Sequence, residues 1–288
     1  MNFYILNKKE IKVSKWYFGG VSAAGAAVFT HPLDLLKVQM QTQRGKNISM
    51  MTLAKHVIEE HGILGLYNGI SASVTRQLTY STTRFAIYET GRSASFTTLV
   101  LLAAMGGLAG GLVGNPADLV NVRMQNDIKM PPEQRRNYKH VFDGVYQIYK
   151  YEGIGRLWSG ASMNCTRSVL ITIGQLSFYD LMKKMLLSTP YFSDNFITHV
   201  CASIFAGGVA TTLTQPVDVM KTRLMNAKPG EVKDISCLLR NTAKEGPQAF
   251  FKGFFPAFVR LTPQTILTFV FLEQLIDNFG NIQEVGEP

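Results

Sequence analysis

Apolar positions gather into six long stretches, most of them broken at intervals by charged residues that lipid-facing surfaces would not tolerate but a water-filled interior would. Periodicity and helix breakers predict helices over about 14–42, 70–93, 98–126, 161–187, 196–225 and 254–278. Only 99–113 and 200–213 come close to the ~20 uninterrupted apolar residues of a simple span. The pattern therefore predicts a bundle around a polar cavity. Between the members of each helix pair lies a polar segment with a short amphipathic helix, over 51–60, 141–151 and 235–244. Each ends at His61-Gly62, Glu152-Gly153 or Glu245-Gly246, where glycine supplies a stop. Six spans place both termini on one side. The odd helices carry close-set small residues, Gly20 and Ala24, Gly107 and Gly111, Ser203 and Gly207, a spacing that lets backbones approach in lipid.

Composition agrees with a membrane protein: hydrophobic residues are 46% of the 288 and charged residues only 17%. The net charge of +9 suits nucleic acid, anionic lipid or an anionic substrate. A nucleic-acid binder clusters its basic residues on one surface, whereas these are spread, so nucleic acid is not expected as a partner. The basic loop residues, such as Arg135-Arg136 and Lys150, should share one face by the positive-inside rule. Cys165, Cys201 and Cys237 show neither CxxC spacing nor a nearby histidine pair, against a disulfide framework or a zinc site. No metal and no cofactor is expected. The start of the chain has neither a secretory pattern nor an Arg- and Ser-rich one, which leaves targeting information inside the chain.

The chain repeats itself three times, over 1–95, 96–190 and 191–288. Arg76, Arg167 and Arg260 each follow a glycine by seven residues, in Tyr67-Asn68-Gly69, Trp158-Ser159-Gly160 and Phe251-Lys252-Gly253. Upstream, Pro32, Pro116 and Pro216 open a second shared pattern. An acid stands at plus two and a polar or basic residue at plus five: Asp34 with Lys37, Asp118 with Asn121, Asp218 with Lys221. That spacing puts both on one helical face, and Gln41 and Gln125 at plus nine extend the stripe. Twenty residues after the glycines come Glu89, Asp180 and Glu273. The arginines lie thirteen residues before these acids, about 20 Å along a helix. At mid-bilayer a guanidinium stays charged and must meet water, a carboxylate or a bound anion. Three such groups at equivalent positions favour a dianion. Eight residues further along, the copies diverge to Arg84, Gln175 and Thr268. With Gln77 and Ser168 beside the main arginines, Arg84 and Gln175 are candidate residues for recognising an asymmetric substrate.

Pro32-Leu33-Asp34-Leu35-Leu36-Lys37, its two counterparts and the downstream aromatic–glycine motifs resemble the threefold signature of the mitochondrial carrier family over nearly the whole chain. The resemblance implies an all-α membrane protein: six tilted transmembrane helices in three pseudo-threefold repeats, with short helices on the matrix side. It implies a matrix gate in which the acid of one odd helix meets the base of the next, Asp118 with Lys221 and Asp218 with Lys37. Asp34 with Asn121 would lack a cation. A cytoplasmic gate is implied at Tyr88-Glu89 with Arg92 and Tyr179-Asp180 with Lys183, pairing Glu89 with Lys183 and Glu273 with Arg92. The third copy departs, with Leu272 before Glu273 and Ile276 at the basic position, so Asp180 would have no cation.

Within the family, the run 116–127, including Asn121, and Arg135-Arg136-Asn137-Tyr138 are most similar to the branch that exchanges dicarboxylates. This implies a mitochondrial inner-membrane antiporter moving malate, succinate or malonate against phosphate, sulfate or thiosulfate by alternating access. Both termini would face the intermembrane space, and the functional unit would be a monomer. Cardiolipin is the implied bound lipid, at the helix starts after Gly69, Gly160 and Gly253. An oxoglutarate or oxaloacetate carrier, or an uncoupling-type proton-leak carrier, is the alternative. The sequence contains no P-loop and no GxSxG, so enzymatic activity is not expected.

Overall fold

The computed structural model describes residues 10–13, 15–43, 48–89, 96–189, 196–227 and 235–284. Its long helices are α1 (Phe18–Gln41), α3 (Ile70–Glu89), α4 (Phe96–Val113) continued by α5 (Asn115–Asp127), α7 (Ala161–Leu187), α8 (Phe196–Asn226) and α10 (Phe254–Phe279). The short helices are α2 (Met50–His61), α6 (Val141–Glu152) and α9 (Ile235–Lys244). Neighbours pack in a ring: α1 with α3, α3 with α4, α4 with α7, α7 with α8, α8 with α10, and α10 back onto α1. Residues near the two ends meet as well, Glu10–Val13 (β1) pairing antiparallel with Asn281–Glu284 (β2). That small ribbon is an addition to the all-helical reading, and it puts both ends of the described chain at one end of the bundle.

The second odd helix is broken where the other two run on. Proline has no N–H and its ring crowds the carbonyl four residues back. Pro32 and Pro216 are carried inside α1 and α8, while the Gly114-Asn115-Pro116 sequence adds poor helix formers and separates α4 from α5 at Gly114. The residue before each proline does the same work in all three copies. His31 Nε2 lies 3.0 Å from the Asn68 carbonyl, Asn115 Nδ2 donates to the Ser159 carbonyl at 3.2 Å, and Gln215 Nε2 donates to the Lys252 carbonyl at 2.8 Å. Each bond ties an odd helix to the turn that launches the following even helix, which is a structural use of buried His31.

Those turns have a fixed form. α2 and α6 stop at Gly62 and Gly153, and α9 is followed by Gly246, with φ of +69°, +90° and +97°. A 3-10 turn follows in each copy, Ile63–Tyr67, Ile154–Trp158 and Pro247–Phe251, and then Gly69, Gly160 and Gly253 again take positive φ before α3, α7 and α10 begin. Side chains rarely adopt this backbone region. At Gly253 space is also exhausted, since an added Cβ would stand 2.9 Å from Gln41 Cγ and 3.0 Å from the Lys37 carbonyl. The small residues of the odd helices make comparable close approaches. An added Cβ at Gly20 would overlap the Thr82 hydroxyl at 1.9 Å, and at Gly107 it would press on Ser168 Cβ at 3.3 Å. Phe29, Leu101, Met105, Phe255 and Phe269 are exposed on the outside of the bundle, as an apolar belt requires.

Candidate anion-binding site

Three aspartates, two lysines and three arginines meet in one layer near the ends of the odd helices. Lys37 Nζ on α1 pairs with Asp218 Oδ2 on α8 at 3.0 Å, and Lys221 on α8 pairs with Asp118 on α5. Symmetry directs position 121 on α5 toward Asp34 on α1, and there the chain has asparagine. Asn121 instead accepts a hydrogen bond from Gln125 Nε2 at 3.1 Å. Gln41, at the equivalent place on α1, accepts from Thr222 Oγ1 on α8 at 2.8 Å.

Each arginine reaches the aspartate of the following repeat. Arg76 Nε on α3 lies 3.7 Å from Asp118, Arg167 Nε on α7 lies 2.6 Å from Asp218, and Arg260 on α10 lies 2.8 Å from Asp34. Asp118 and Asp218 are therefore shared by a lysine and an arginine, and Asp34 is held by Arg260 alone among the described residues. The sequence placed the arginines apart from the gate acids. They stand only seven residues from the glycines that pack at the gate end, about 10 Å along the helix, and the long arginine side chain spans what remains. Their side chains keep 21%, 29% and 19% exposure for Arg76, Arg167 and Arg260, so they are paired yet open to solvent. Five cations face three carboxylates, an excess of two positive charges.

The remaining candidates are scattered. Ser168 is buried and donates to the Gly107 carbonyl at 3.3 Å, in the contact of α7 with α4. Gln77 is buried beside Arg76. Arg84 is exposed on α3, with its stem against Gly106 of α4. Thr268 donates to the Gln264 carbonyl at 2.7 Å. At the other end Glu273 is exposed, and Tyr179 and Lys183 both make polar or ring interactions. Arg92 lies outside the described residues, as do the side chains of Tyr88, Glu89, Gln175 and Asp180.

Sequence reasoning missed a second set of ion pairs just beyond this layer. Arg123 is wholly buried, forks onto Glu152 with an Nη2–Oε2 distance of 2.8 Å, and donates to the Met225 carbonyl at 3.2 Å. Arg223 repeats this with Glu245, at 2.8 and 2.9 Å, and with the Gln41 carbonyl at 3.1 Å. Burial works to raise both carboxyls, and the guanidinium partners outweigh it, leaving them below the usual glutamate range. The signal was present: an arginine at plus seven after Pro116 and Pro216, and a glutamate just before Gly153 and Gly246.

The model of the family described as mitochondrial carrier protein matches residues 10–96, 92–190 and 192–283. The chain belongs to the mitochondrial carrier protein family. A Caenorhabditis elegans relative named mitochondrial dicarboxylate carrier is 54% identical over 94% of this chain and 96% of its own length. Mitochondrial citrate transporter F of Aspergillus niger is 47% identical over 92% of this chain and 89% of its own. The probable mitochondrial 2-oxoglutarate/malate carrier protein of Dictyostelium discoideum is 43% identical over 92% and 90%.

Proposed function

We propose that this protein is an antiporter of the mitochondrial inner membrane, exchanging dicarboxylates such as malate, succinate and malonate for phosphate, sulfate or thiosulfate. The observation that carries this reading is the excess of two positive charges in the axial layer, which one compact dianion neutralises. The high identity to the nematode dicarboxylate carrier supports the same substrate class. A trianion such as citrate would leave the layer negative.

The cycle follows from charge. The Asp–Lys pairs act as the matrix gate, with Gln41 and Gln125 bracing them. A dianion entering from the opposite side takes the guanidinium groups away from the aspartates. Asp118 and Asp218 then keep one lysine each, and Asp34 loses the cation that held it. Substrate binding thus loosens the gate, and a dianion supplies the attraction that the occluded state lacks when empty. Empty return is slow, so exchange dominates. The second gate is assigned to Glu89, Asp180 and Glu273 with Arg92 and Lys183, braced by Tyr88 and Tyr179. Arg84, Gln175, Gln77 and Ser168 tune which dianion fits. Each of the three units contributes one arginine, both termini face the intermembrane space, cardiolipin seats at the starts of α3, α7 and α10, and a monomer suffices.

Reconstitution in liposomes tests this directly. Labelled malate and labelled phosphate should each enter only against internal malate, succinate, malonate, phosphate or sulfate. Exchange of oxoglutarate without phosphate would select an oxoglutarate carrier, proton conductance without anion exchange an uncoupling-type carrier, and fast net uptake into empty liposomes would overturn obligatory exchange.

A further inference from the structure

Repeat 1 lacks the ion pair that closes the gate end of repeats 2 and 3. Where those have Arg123 with Glu152 and Arg223 with Glu245, repeat 1 has Gln39 and His61 at the matching positions. Gln39 keeps half of the pattern. Its Nε2 donates to the Gln125 carbonyl at 2.9 Å, as Arg123 and Arg223 do to Met225 and Gln41. The carboxylate half is gone. Among the described residues, fully buried Gln39 has no partner for Oε1, and His61 Nε2 has no hydrogen-bond partner, the nearer Glu60 oxygen standing 3.9 Å away.

The missing pair opens onto a basin of about 1070 Å³ between α1, α2 and the segment after α5. Lys129 reaches into it and donates to the Gln39 carbonyl and, at 3.2 Å, to Thr42 Oγ1. Its ammonium pairs with no carboxylate among the described residues. Other charged or titratable groups on the basin are Arg223, already tied to Glu245, Arg135, bound to the Met130 and Ile128 carbonyls, His56, and Glu60. Glu60 is 3.5 Å from His56. Across the way Lys252 bonds to Glu245 and to the Gln43 carbonyl. Among the described residues cations outnumber carboxylates here, and the basin is larger than one small ion needs.

We propose that this basin is a second anion site, in which a soluble oxyanion or an anionic lipid headgroup occupies the place that Glu152 and Glu245 fill in the other repeats, held by Lys129 and His61. An oxyanion there completes the third junction between repeats and so reports the anion content on the gate side, separately from the axial layer. Desolvation by the basin walls, with the Lys252 charge adding to it, brings the Lys129 amine down to about 7. Occupancy therefore weakens as pH rises through that value.

Sulfate is the probe, because its charge is constant across the range. Equilibrium binding of labelled sulfate to the purified full chain in neutral detergent with phosphatidylcholine should give two sites per monomer. Arg167→Gln should lose the axial site alone. Lys129→Gln should lose the basin site alone, and His61→Glu should lose it while raising the melting temperature, since the new carboxylate pairs with Lys129. Above pH 7 the affinity of the basin site should fall about tenfold per unit. Displacement of the second sulfate by phosphatidylglycerol assigns a lipid headgroup as the occupant, and its persistence assigns a soluble anion. Identical stoichiometry in the parent, Lys129→Gln and His61→Glu overturns the proposal, whatever happens in Arg167→Gln.

Discussion

Asn121→Lys would place a cation where the two other copies have Lys37 and Lys221, facing Asp34. Its size follows from the neighbouring pair. At the 3.0 Å of Lys37 and Asp218, two unit charges attract by about 5 kcal/mol at an effective dielectric of ~20. Most of that is offset by desolvating the ammonium and by repulsion from Arg260, which already holds Asp34 at 2.8 Å. A net gain of about 1–2 kcal/mol for the closed gate remains, which corresponds to about a 5- to 30-fold change in an equilibrium. Malate–malate exchange in liposomes at saturating substrate should slow by that order, and the purified variant should melt at a higher temperature. If the variant is folded and inserted, yet both the rate and the melting temperature match the parent, then position 121 does not face Asp34 and the threefold reading of the gate is wrong.

Glu152→Gln leaves the buried Arg123 guanidinium without its counter-charge and should cost about 3 kcal/mol or more, read as a lower melting temperature in detergent. The depressed carboxyls of Glu152 and Glu245 set a pH dependence. Their contribution to stability is fully present above the unfolded value near 4.5 and is lost as pH falls through the lower folded value, where the unfolded chain binds more protons. The melting temperature should therefore drop on acidification, and Glu245→Gln should flatten that slope. Gly253→Ala meets both a φ of +76° and contacts at 2.9 and 3.0 Å, so a loss of about 1–3 kcal/mol and a slower exchange rate are expected. A neutral result would mean that the turn before α10 yields.

The helices were legible because their apolar runs and glycine stops are local features. α7 begins and ends at the residues read from the sequence, and α9 as well. The break at Gly114 was not, because three prolines in equivalent places behave differently only when Gly114 and Asn115 are weighed together. The lysine–aspartate pairs came from a family resemblance. The arginine–aspartate contacts needed three dimensions, since they join residues up to 226 positions apart and depend on side-chain reach. Ser168 reads as a candidate substrate contact from its place beside Arg167, and the bond its hydroxyl also donates to the Gly107 carbonyl needed the packing of α7 on α4.

Calorimetric titration of malonate into the purified carrier tests the arginines most directly, in a Lys129→Gln background so that the axial site alone titrates. Arg76→Gln, Arg167→Gln and Arg260→Gln should each weaken binding about ten- to a hundredfold, the worth of one charge-assisted hydrogen bond. Malonate bound by all three variants as tightly as by their parent would contradict a dianion held between these guanidinium groups.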